Sequence, residues 1–396
     1  MRGLHMSYRS RTPLRCKLKS LFALLLFCLA TAAQALPIPA PPQFPAKSYL
    51  LMDAHSGQVI AASNPDEHRE PASLTKLMTA YVVFHALRDG VLHLDDTATI
   101  SEKAWHMGGS RTFANVGSRM RIDDLLQGMI VQSGNDAAVA LAERVGGTED
   151  AFVQIMNQYA QKLGMTESHF VDASGLTDDK NHYMSAHDLG LLSRAIITEF
   201  PEYMHYFSEK TFTWNKITQG NRNDLLYSDP SVDGLKTGDT DDAGYCLVAT
   251  AVRGDLRLIA VVMGTKTKPE RGRYAESLLN YGSNFFETRR LYAADAPVSA
   301  IKVWKGAQPS VPAGLLSDMY VTLPKGADGA MQASAQACAG LIAPVAAHAR
   351  VGMVDVTVDG RLLTQAPLYT LQAVDEGNIF RRIWDSMRLW FNSRKK

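Results

Sequence analysis

Two long β-rich runs in the middle of the chain constrain its fold more than any other feature. Tyr245–Val252 and Arg257–Met263 are almost wholly apolar and flank the turn Arg253-Gly254-Asp255. Such runs, separated by a short turn, predict a β-hairpin. Because few polar residues interrupt either run, we expect this hairpin to lie inside a well-buried sheet.

The segment before this hairpin carries reactive side chains. Lys236, Thr237 and Gly238 are predicted to lie on or just before an inner strand. A glycine there lets a ligand approach the backbone closely, while lysine and threonine offer a cation and a hydroxyl to an anion. An edge-strand lysine without a partner would give the same pattern, so this triplet alone does not define a site.

A second reactive pair begins a helix. In Pro71–Lys76, a proline and small residues precede an apolar run that extends to Phe84, which is typical of a helix start. Lys76 would lie one turn after Ser73 on the same face. A buried amine of lowered pKa can take the proton of a serine. The same spacing recurs twice elsewhere in the chain, so a helix cap followed by a solvated lysine explains it equally well.

A third polar group interrupts two apolar helices. Ile122–Gln132 and Ala137–Val145 have helical patterns, and Ser133-Gly134-Asn135 lies between them. Glycine is a natural stop between helices, so Ser133 and Asn135 are placed on a tight connection where both can point into a cleft. The alternative is a capped turn in which both side chains satisfy nearby backbone groups.

The N-terminus predicts export. A basic segment, the apolar run Leu21–Leu29 and the small-x-small site Ala33-Gln34-Ala35 together indicate a signal peptide over residues 1–35. An uncleaved anchor is disfavoured because the apolar run is short of a full span. Cys246 and Cys338 remain after cleavage, and without disulfide or metal spacing we expect both to be buried free thiols.

The composition and the predicted secondary structure change towards the C-terminus. From about Tyr292, short alternating runs rich in alanine, valine, proline and glycine predict a small all-β domain. We predict four segments: the signal peptide 1–35, a catalytic domain 36–291, an all-β domain 292–376 and an amphipathic helix 377–396.

The last segment has one apolar helical face, made of Ile379, Phe380, Ile383, Trp384, Met387, Trp390 and Phe391. Tryptophans opposite arginines suit a membrane surface with anionic lipid, although a helix packed on its own domain has the same pattern. The whole chain has 41 basic and 40 acidic residues, which gives no general case for nucleic-acid binding.

The three reactive groups occur in a recognisable order. Ser73-x-x-Lys76, Ser133-x-Asn135 and Lys236-Thr237-Gly238 are the motifs of penicillin-binding proteins and β-lactamases. From about Tyr49 to its end the chain resembles the low-molecular-mass penicillin-binding proteins of the type-five D-alanyl-D-alanine carboxypeptidase family. Further matching segments are Pro71–Thr79, Gln132–Ala137, Val232–Gly238, Ala243–Tyr245, and Arg273 with Ala275–Ser277.

This resemblance implies an α+β fold: a serine β-lactamase/DD-peptidase-like domain with an antiparallel sheet flanked by helices, followed by the all-β domain and the terminal helix. The cleft would lie between the sheet and a helical cluster. It also implies a peripheral position on the periplasmic face of the inner membrane. No metal or organic cofactor is implied.

The resemblance also implies roles in cleaving the terminal D-alanine from peptidoglycan pentapeptides. Ser73 would form the acyl-enzyme, also with β-lactam antibiotics. Lys76 would take its proton, and Ser133 would relay a proton to the leaving amine. Asn135 would bind the substrate amide.

The remaining implied roles concern charge. Backbone N–H groups of Ser73 and Asp239 would form the oxyanion hole, next to Gly238. Three side chains would bind the terminal carboxylate: Lys236, Thr237 and Arg273. Lys236 would also lower the pKa of Lys76.

Asp239 departs from well-known family members, which carry histidine after this triplet. Its charge should weaken carboxylate binding unless Asp239 pairs with a cation or turns away.

Three alternative functions stay open: an endopeptidase acting on cross-links, a β-lactamase, and a non-catalytic wall-binding scaffold. No glutamate lies in a motif that assigns it as the deacylating base of a β-lactamase.

Overall fold

The computed structural model describes residues 38–327 and 331–393. The described residues from Pro39 onward form one compact unit that contains every element named below. The predicted signal peptide and the last three predicted cations, Arg394, Lys395 and Lys396, lie outside the described residues.

The elements alternate between strands and helices up to residue 285 and are mainly strands afterwards. The strands are β1 Ser48–Asp53, β2 Val59–Ser63, β3 Thr97–Thr99, β4 Arg119–Arg121, β5 Thr211–Trp214, β6 Ile217–Gly220, β7 Val232–Thr240, β8 Gly244–Arg253, β9 Leu256–Thr265, β10 Phe286–Tyr292, β11 Pro297–Trp304, β12 Ser310–Gly314, β13 Met319–Pro324, β14 Met331–Ala337, β15 Leu341–Ile342, β16 Arg350–Val358 and β17 Arg361–Thr370. The α-helices are α1 Lys76–Arg88, α2 Glu102–His106, α3 Ile122–Ile130, α4 Asn135–Gly146, α5 Glu149–Leu163, α6 Ala186–Glu199, α7 His205–Ser208, α8 Leu225–Ser228, α9 Lys268–Phe285 and α10 Ile379–Ser393.

A five-stranded antiparallel sheet organises the first part, in the order β2-β1-β9-β8-β7. The predicted hairpin is confirmed as β8 and β9, paired for example at Val248 with Val261. Side chains of successive residues point to opposite faces. Val248 and Val261 belong to the core on the helical-cluster side, whereas Ala249 and Ala260 pack in a second core with Leu278 of α9. Both faces are covered, which explains why the hairpin sequence is continuously apolar.

Helix α1 is the buried centre of the helical cluster. Every residue from Lys76 to Ala86 is buried. Helix α4 is similarly enclosed, with Asn135–Ala142 all buried. A polar residue at the start of either helix is therefore held in the interior by the apolar residues that follow it.

The second part is β-rich. β10 pairs with β13, and a six-stranded sheet has the order β14-β16-β17-β12-β11-β15. Its core includes Val311, Val354, Val356 and Leu368, each 0% exposed. The α+β class, the β-rich second part and the terminal helix are confirmed. The numerical domain boundaries stay predictions.

A buried polar joint links the β1–β2 turn to the β10–β13 ribbon. Asp53 is 0% exposed and its carboxylate accepts the backbone N–H groups of His55 and Ser56 at 2.7 and 2.9 Å. The Thr288 hydroxyl donates to the same carboxylate. Ser56 Oγ lies 2.6 Å from Thr322 Oγ1.

The cysteine prediction is half right. Cys246 is buried in β8, whereas Cys338 is exposed just after β14. The structure corrects the expectation for Cys338 because β14 is an edge strand whose residues after Met331 are all exposed.

Helix α10 presents its apolar face to solvent. Phe380 is 80% exposed, Trp384 is 58% exposed and Phe391 is 60% exposed. The Asp385 carboxylate on the opposite side accepts the backbone N–H of Lys305 at 2.7 Å and so attaches the helix to the β-rich part. Among the helices in the described ranges, none is long and apolar enough to cross a membrane.

Candidate active site

The serine–lysine pair is built at a helix start. Residues Ala72–Thr75 form one turn of 3-10 helix, and α1 begins at Lys76. Lys76 Nζ donates to Ser73 Oγ at 3.0 Å. Ala72, immediately before the serine, has φ +49°, which is uncommon for a residue with a Cβ and is typical of functional turns.

Lys76 lies in an enclosed environment. It is 1% exposed, and its Nζ also donates to Asn135 Oδ1 and to the Ser174 carbonyl, each at 2.6 Å. Burial lowers the pKa of Lys76 to about 7, with Asp172 and Asp136 raising it and Arg222 lowering it. At neutral pH a substantial fraction of this amine is therefore unprotonated and able to accept a proton.

A second cation acts on Lys76 beside the expected one. Arg222, which the sequence did not indicate, lowers the pKa of Lys76, and Lys76 and Lys236 also repel each other when both are charged. Lys236 is 3% exposed, and burial together with Lys76, Arg222 and Arg271 lowers its own pKa well below the ordinary value. Its Nζ donates to the Thr237 carbonyl at 3.1 Å.

The second motif lies at the start of α4, and its Asn135 contacts Lys76 of the first motif. Ser133 has φ +69° and is 2% exposed, and its Oγ has no hydrogen-bond partner among the described residues. Asn135 is the first residue of α4, and its Nδ2 donates to the Gly108 carbonyl at 2.8 Å. A buried hydroxyl without a partner is costly unless a ligand uses it.

A cavity of about 430 Å³ joins the three motifs. Five of the residues predicted for the site line it: Ser73, Ser133, Asn135, Thr237 and Asp239. Arg222, Phe113 and Leu176 also line it. The size suits a short peptide end rather than a large ligand.

Gly238 brings the β7 strand against the nucleophile turn. A Cβ at this position would lie 2.8 Å from the Pro71 carbonyl oxygen and 3.2 Å from the Ser73 backbone nitrogen. Only a residue without a side chain permits this approach. The backbone around Ser73 and Asp239 is thereby brought to one wall of the cavity.

Arg273 is not at this site, which corrects the prediction. Its side chain is exposed, with the guanidinium 5.4 Å from the ring of Tyr274. Arg271, two residues earlier, is 3% exposed and donates to the Gly238 carbonyl at 3.4 Å. Two residues along a helix change the face by about 200°. Spacing from the buried Tyr274, Ala275 and Leu278 could have identified Arg271 as the inward arginine.

Asp239 pairs with a cation. Its Oδ1 lies 3.6 Å from Arg271 Nη1, while its side chain stays 45% exposed at the cavity. Asp239 thus has the cationic partner that the sequence left open, but its half-exposed carboxylate still faces the cavity. Arg271 is shared between Asp239 and any anion that enters the cavity.

No group of three or more metal-ligating side chains occurs within residues 38–327 and 331–393. The polar groups of the cavity are instead those of a serine hydrolase: a serine, a buried amine, a second hydroxyl and backbone donors.

Comparisons with known proteins agree with this class. The model of the Peptidase S11 family, D-alanyl-D-alanine carboxypeptidase, matches residues 35–267, and that of the penicillin-binding protein 5 C-terminal domain matches residues 286–376. The D-alanyl-D-alanine carboxypeptidase DacD of Salmonella typhimurium is 42% identical over 92% of this chain and 96% of its own length. DacA of Escherichia coli is 40% identical over 90% of each chain.

Solved structures show the same likeness. The crystal structure of penicillin binding protein 5 from Haemophilus influenzae is 41% identical, with a TM-score of 0.80 over 85% of this chain and 100% of that one. Penicillin-binding protein D2 of Listeria monocytogenes in its ampicillin-bound form is 34% identical, with a TM-score of 0.56 over 61% and 98%. The chain belongs to the D-alanyl-D-alanine carboxypeptidase family of serine peptidases.

Proposed function

We propose that this protein removes the terminal D-alanine from peptides that end in D-alanyl-D-alanine, such as peptidoglycan pentapeptides, through an acyl-enzyme on Ser73. The observation that carries the proposal is the buried Lys76 amine, 3.0 Å from Ser73 Oγ and with its pKa lowered to about 7. A neutral amine at this distance can accept the hydroxyl proton as the oxygen attacks.

Acylation follows from the positions of the side chains. Ser73 Oγ attacks the carbonyl carbon of the penultimate residue while Lys76 takes its proton. Backbone N–H groups of Ser73 and Asp239 receive the developing oxyanion charge. The C–N bond then breaks, and the leaving amine takes a proton through Ser133. Water attacks the ester, releases the shortened peptide and restores the serine.

Substrate binding uses β7 and the cations near it. Thr237 and Arg222 line the cavity and Arg271 lies just behind it, so a terminal carboxylate meets a hydroxyl and two cations. Lys236 adds a third cationic group when protonated. Asn135 presents its amide next to Lys76, where it can hold the peptide backbone.

The test uses the wild-type protein. Incubation with a D-alanyl-D-alanine pentapeptide should release one D-alanine per peptide, measured by chromatography of the products. Penicillin should add its full mass to the peptide that contains Ser73, measured by mass spectrometry. Folded protein that releases no D-alanine would refute the proposal.

Adduct lifetime separates the alternatives. A penicillin adduct that lasts many times longer than one turnover of the peptide substrate excludes a β-lactamase, because that activity requires fast deacylation. Binding of pentapeptide without release would favour the scaffold. A disaccharide-linked cross-linked dimer as a second substrate measures endopeptidase activity.

Replacing Asp239 with asparagine should strengthen binding of the anionic peptide end. The substitution removes a half-exposed negative charge from the cavity and leaves Arg271 free to pair with substrate. We expect KM to fall by about threefold to tenfold with little change in kcat, as for other partly screened charges. Steady-state kinetics at low and high salt measure this.

The matched control is Asp255→Asn, which lies in the turn between β8 and β9 and should leave KM unchanged. An equal or higher KM for Asp239→Asn would show that its carboxylate does not oppose the substrate.

We infer that α10 attaches the protein to an anionic membrane surface and that the predicted signal peptide exports it to the periplasmic side. The exposed apolar face of α10 supports this, because a helix packed on its own domain would bury that face. Phe380, Trp384 and Phe391 lie on it, with Arg388 against the Trp384 ring.

Removal of residues 377–396 should abolish binding to vesicles that contain phosphatidylglycerol while D-alanine release in solution is retained. Sedimentation with vesicles measures binding. The double variant Phe380→Ser, Trp384→Ser keeps the chain length and should also lose most binding. Retained sedimentation of both variants would contradict the anchor.

A further inference from the structure

Thr75 and His182 form a buried polar chain beneath the nucleophile turn. Neither residue belongs to the three motifs, and the steps above do not use them. Thr75 Oγ1 lies 2.8 Å from the Ala72 carbonyl oxygen and 2.7 Å from His182 Nε2. His182 Nδ1 accepts the backbone N–H of Val171 at 3.1 Å. Thr75 is 0% exposed and His182 3%.

The direction of each hydrogen bond follows from the available protons. The Val171 N–H can only donate, so His182 Nδ1 keeps its lone pair and the proton of the neutral ring is on Nε2. Nε2–H therefore donates to Thr75 Oγ1. The Thr75 hydroxyl then donates its own proton to the Ala72 carbonyl. Every group in the chain is satisfied only while His182 is neutral.

The end of this chain controls the orientation of a reacting group. The Ala72 carbonyl and the Ser73 N–H belong to one planar peptide and point in opposite directions. A hydrogen bond that holds the carbonyl inward therefore holds the Ser73 N–H toward the opposite side. That side faces β7, because a Cβ on Gly238 would lie 3.2 Å from the Ser73 nitrogen.

We propose that His182 is a positioning residue for the oxyanion hole: acting through Thr75, it orients the Ala72–Ser73 peptide so that the Ser73 N–H meets the oxygen of the tetrahedral intermediate. This rests on the proposed acyl-enzyme function. His182 itself does not touch the substrate.

The neighbouring loop packs directly against the Thr75 end of this chain. A Cβ on Gly175 would collide with the Ala72 carbonyl and lie 2.5 Å from Thr75 Oγ1. Asp172 Oδ1 holds this loop by accepting the backbone N–H groups of Ser174 and Gly175 at 2.6 and 2.5 Å. Ala72 has a positive φ, which is unfavourable for a residue with a Cβ, so the surrounding contacts must stabilise this turn.

Burial, more than the surrounding charges, keeps the His182 ring neutral when the enzyme works. Burial lowers the pKa of His182, the Asp172 and Asp179 carboxylates raise it, and positive charge on His169 and Lys76 lowers it. The ring of Phe170 packs edge-on against it at 5.9 Å and adds no charge. Protonation would break the Val171 hydrogen bond, so the positioning is lost only in acid.

The experiment measures His182→Ala, Thr75→Val and His182→Gln beside the wild type. Readouts are kcat and KM for a D-alanyl-D-alanine peptide, and the inhibition constant of a peptide boronic acid. The boron of this inhibitor bonds to Ser73 Oγ and places an oxygen in the oxyanion hole. We expect the first two variants to lose about tenfold to hundredfold in kcat, because misorienting one oxyanion donor costs less than removing it.

Boronate affinity should fall by the same factor as kcat, whereas KM should stay within about twofold, because only the transition state uses the oriented N–H. His182→Gln should restore most of the kcat, since its amide N–H can donate to Thr75 at any pH. The control is His169→Gln, an exposed histidine nearby whose Nδ1 lies 2.8 Å from the Asn181 carbonyl oxygen. It should leave kcat, KM and boronate affinity unchanged above neutral pH, where the His182 ring is neutral with or without His169.

Unchanged kcat and boronate affinity in Thr75→Val and in folded His182→Ala would overturn this inference. If His182→Ala does not fold, Thr75→Val still decides it, because it nearly conserves volume and removes only the hydroxyl that links His182 to the Ala72 carbonyl. A wild type that neither releases D-alanine nor forms an adduct refutes the proposed function itself. Normal wild-type turnover with undiminished variants refutes only the role of His182.

Discussion

Replacing Lys76 with methionine should reduce acylation of Ser73 and D-alanine release by about 10³-fold or more, since general-base catalysis contributes on this scale. Methionine fills the buried site with an unbranched apolar chain but cannot accept a proton. The Ser73 hydroxyl then lacks the amine that lies 3.0 Å away. Stopped-flow measurement of penicillin acylation reports the step directly, and Ser73→Ala gives the zero baseline.

The pH dependence of the wild type tests the same base. Because the pKa of Lys76 is lowered to about 7, the acylation rate should rise with pH through this value and level off above it. Below it, the rate should fall about tenfold per pH unit as the amine is protonated. An acylation rate that does not change across this range would contradict Lys76 as the base. Lys162→Met, an exposed lysine on α5, should keep the wild-type rate and profile.

Gly238→Ala should lower acylation by about 10²-fold, comparable to the loss of one oxyanion-hole donor. The added methyl group would lie 2.8 Å from the Pro71 carbonyl oxygen and 3.2 Å from the Ser73 nitrogen, and both are backbone atoms that cannot rotate away. We expect β7 and the nucleophile turn to move apart, which separates the two donors of the oxyanion hole. Penicillin acylation and circular dichroism measure the effect and the integrity of the fold.

Gly272→Ala is the matched control for this substitution. A Cβ there meets nothing within 4 Å, and the residue lies within α9. Its activity should equal that of the wild type, and the fold should gain about 0.5–1 kcal/mol because alanine suits a helix better than glycine. Equal acylation by Gly238→Ala and Gly272→Ala would show that the close approach of β7 is not needed.

The parts of the fold that could be predicted are those in which local pattern and burial agree. The β8–β9 hairpin was visible because both faces of its sheet are buried, so its sequence is apolar throughout. The three motifs identified Ser73, Ser133 and Thr237, and the structure places all three at one cavity.

What could not be predicted depends on contacts between distant segments. Arg271 and Arg273 lie on different faces of α9, and the family resemblance pointed to Arg273, which is exposed, and not to the buried Arg271. Arg222 comes from the segment between β6 and α8, whose approach to the cavity no periodicity indicates. His182 acts through Thr75, 107 residues away, so nothing local marks it.

The polar joint at Asp53 has a mechanical consequence. Pulling the β1–β2 turn away from the β10–β13 ribbon would break the Thr288 and Thr322 bonds and strip a carboxylate, hidden from solvent, of one of its donors. Such a loss is strongly unfavourable, so this junction resists bending. The joint therefore opposes separation of the catalytic sheet from the β-rich part at this point of the molecule.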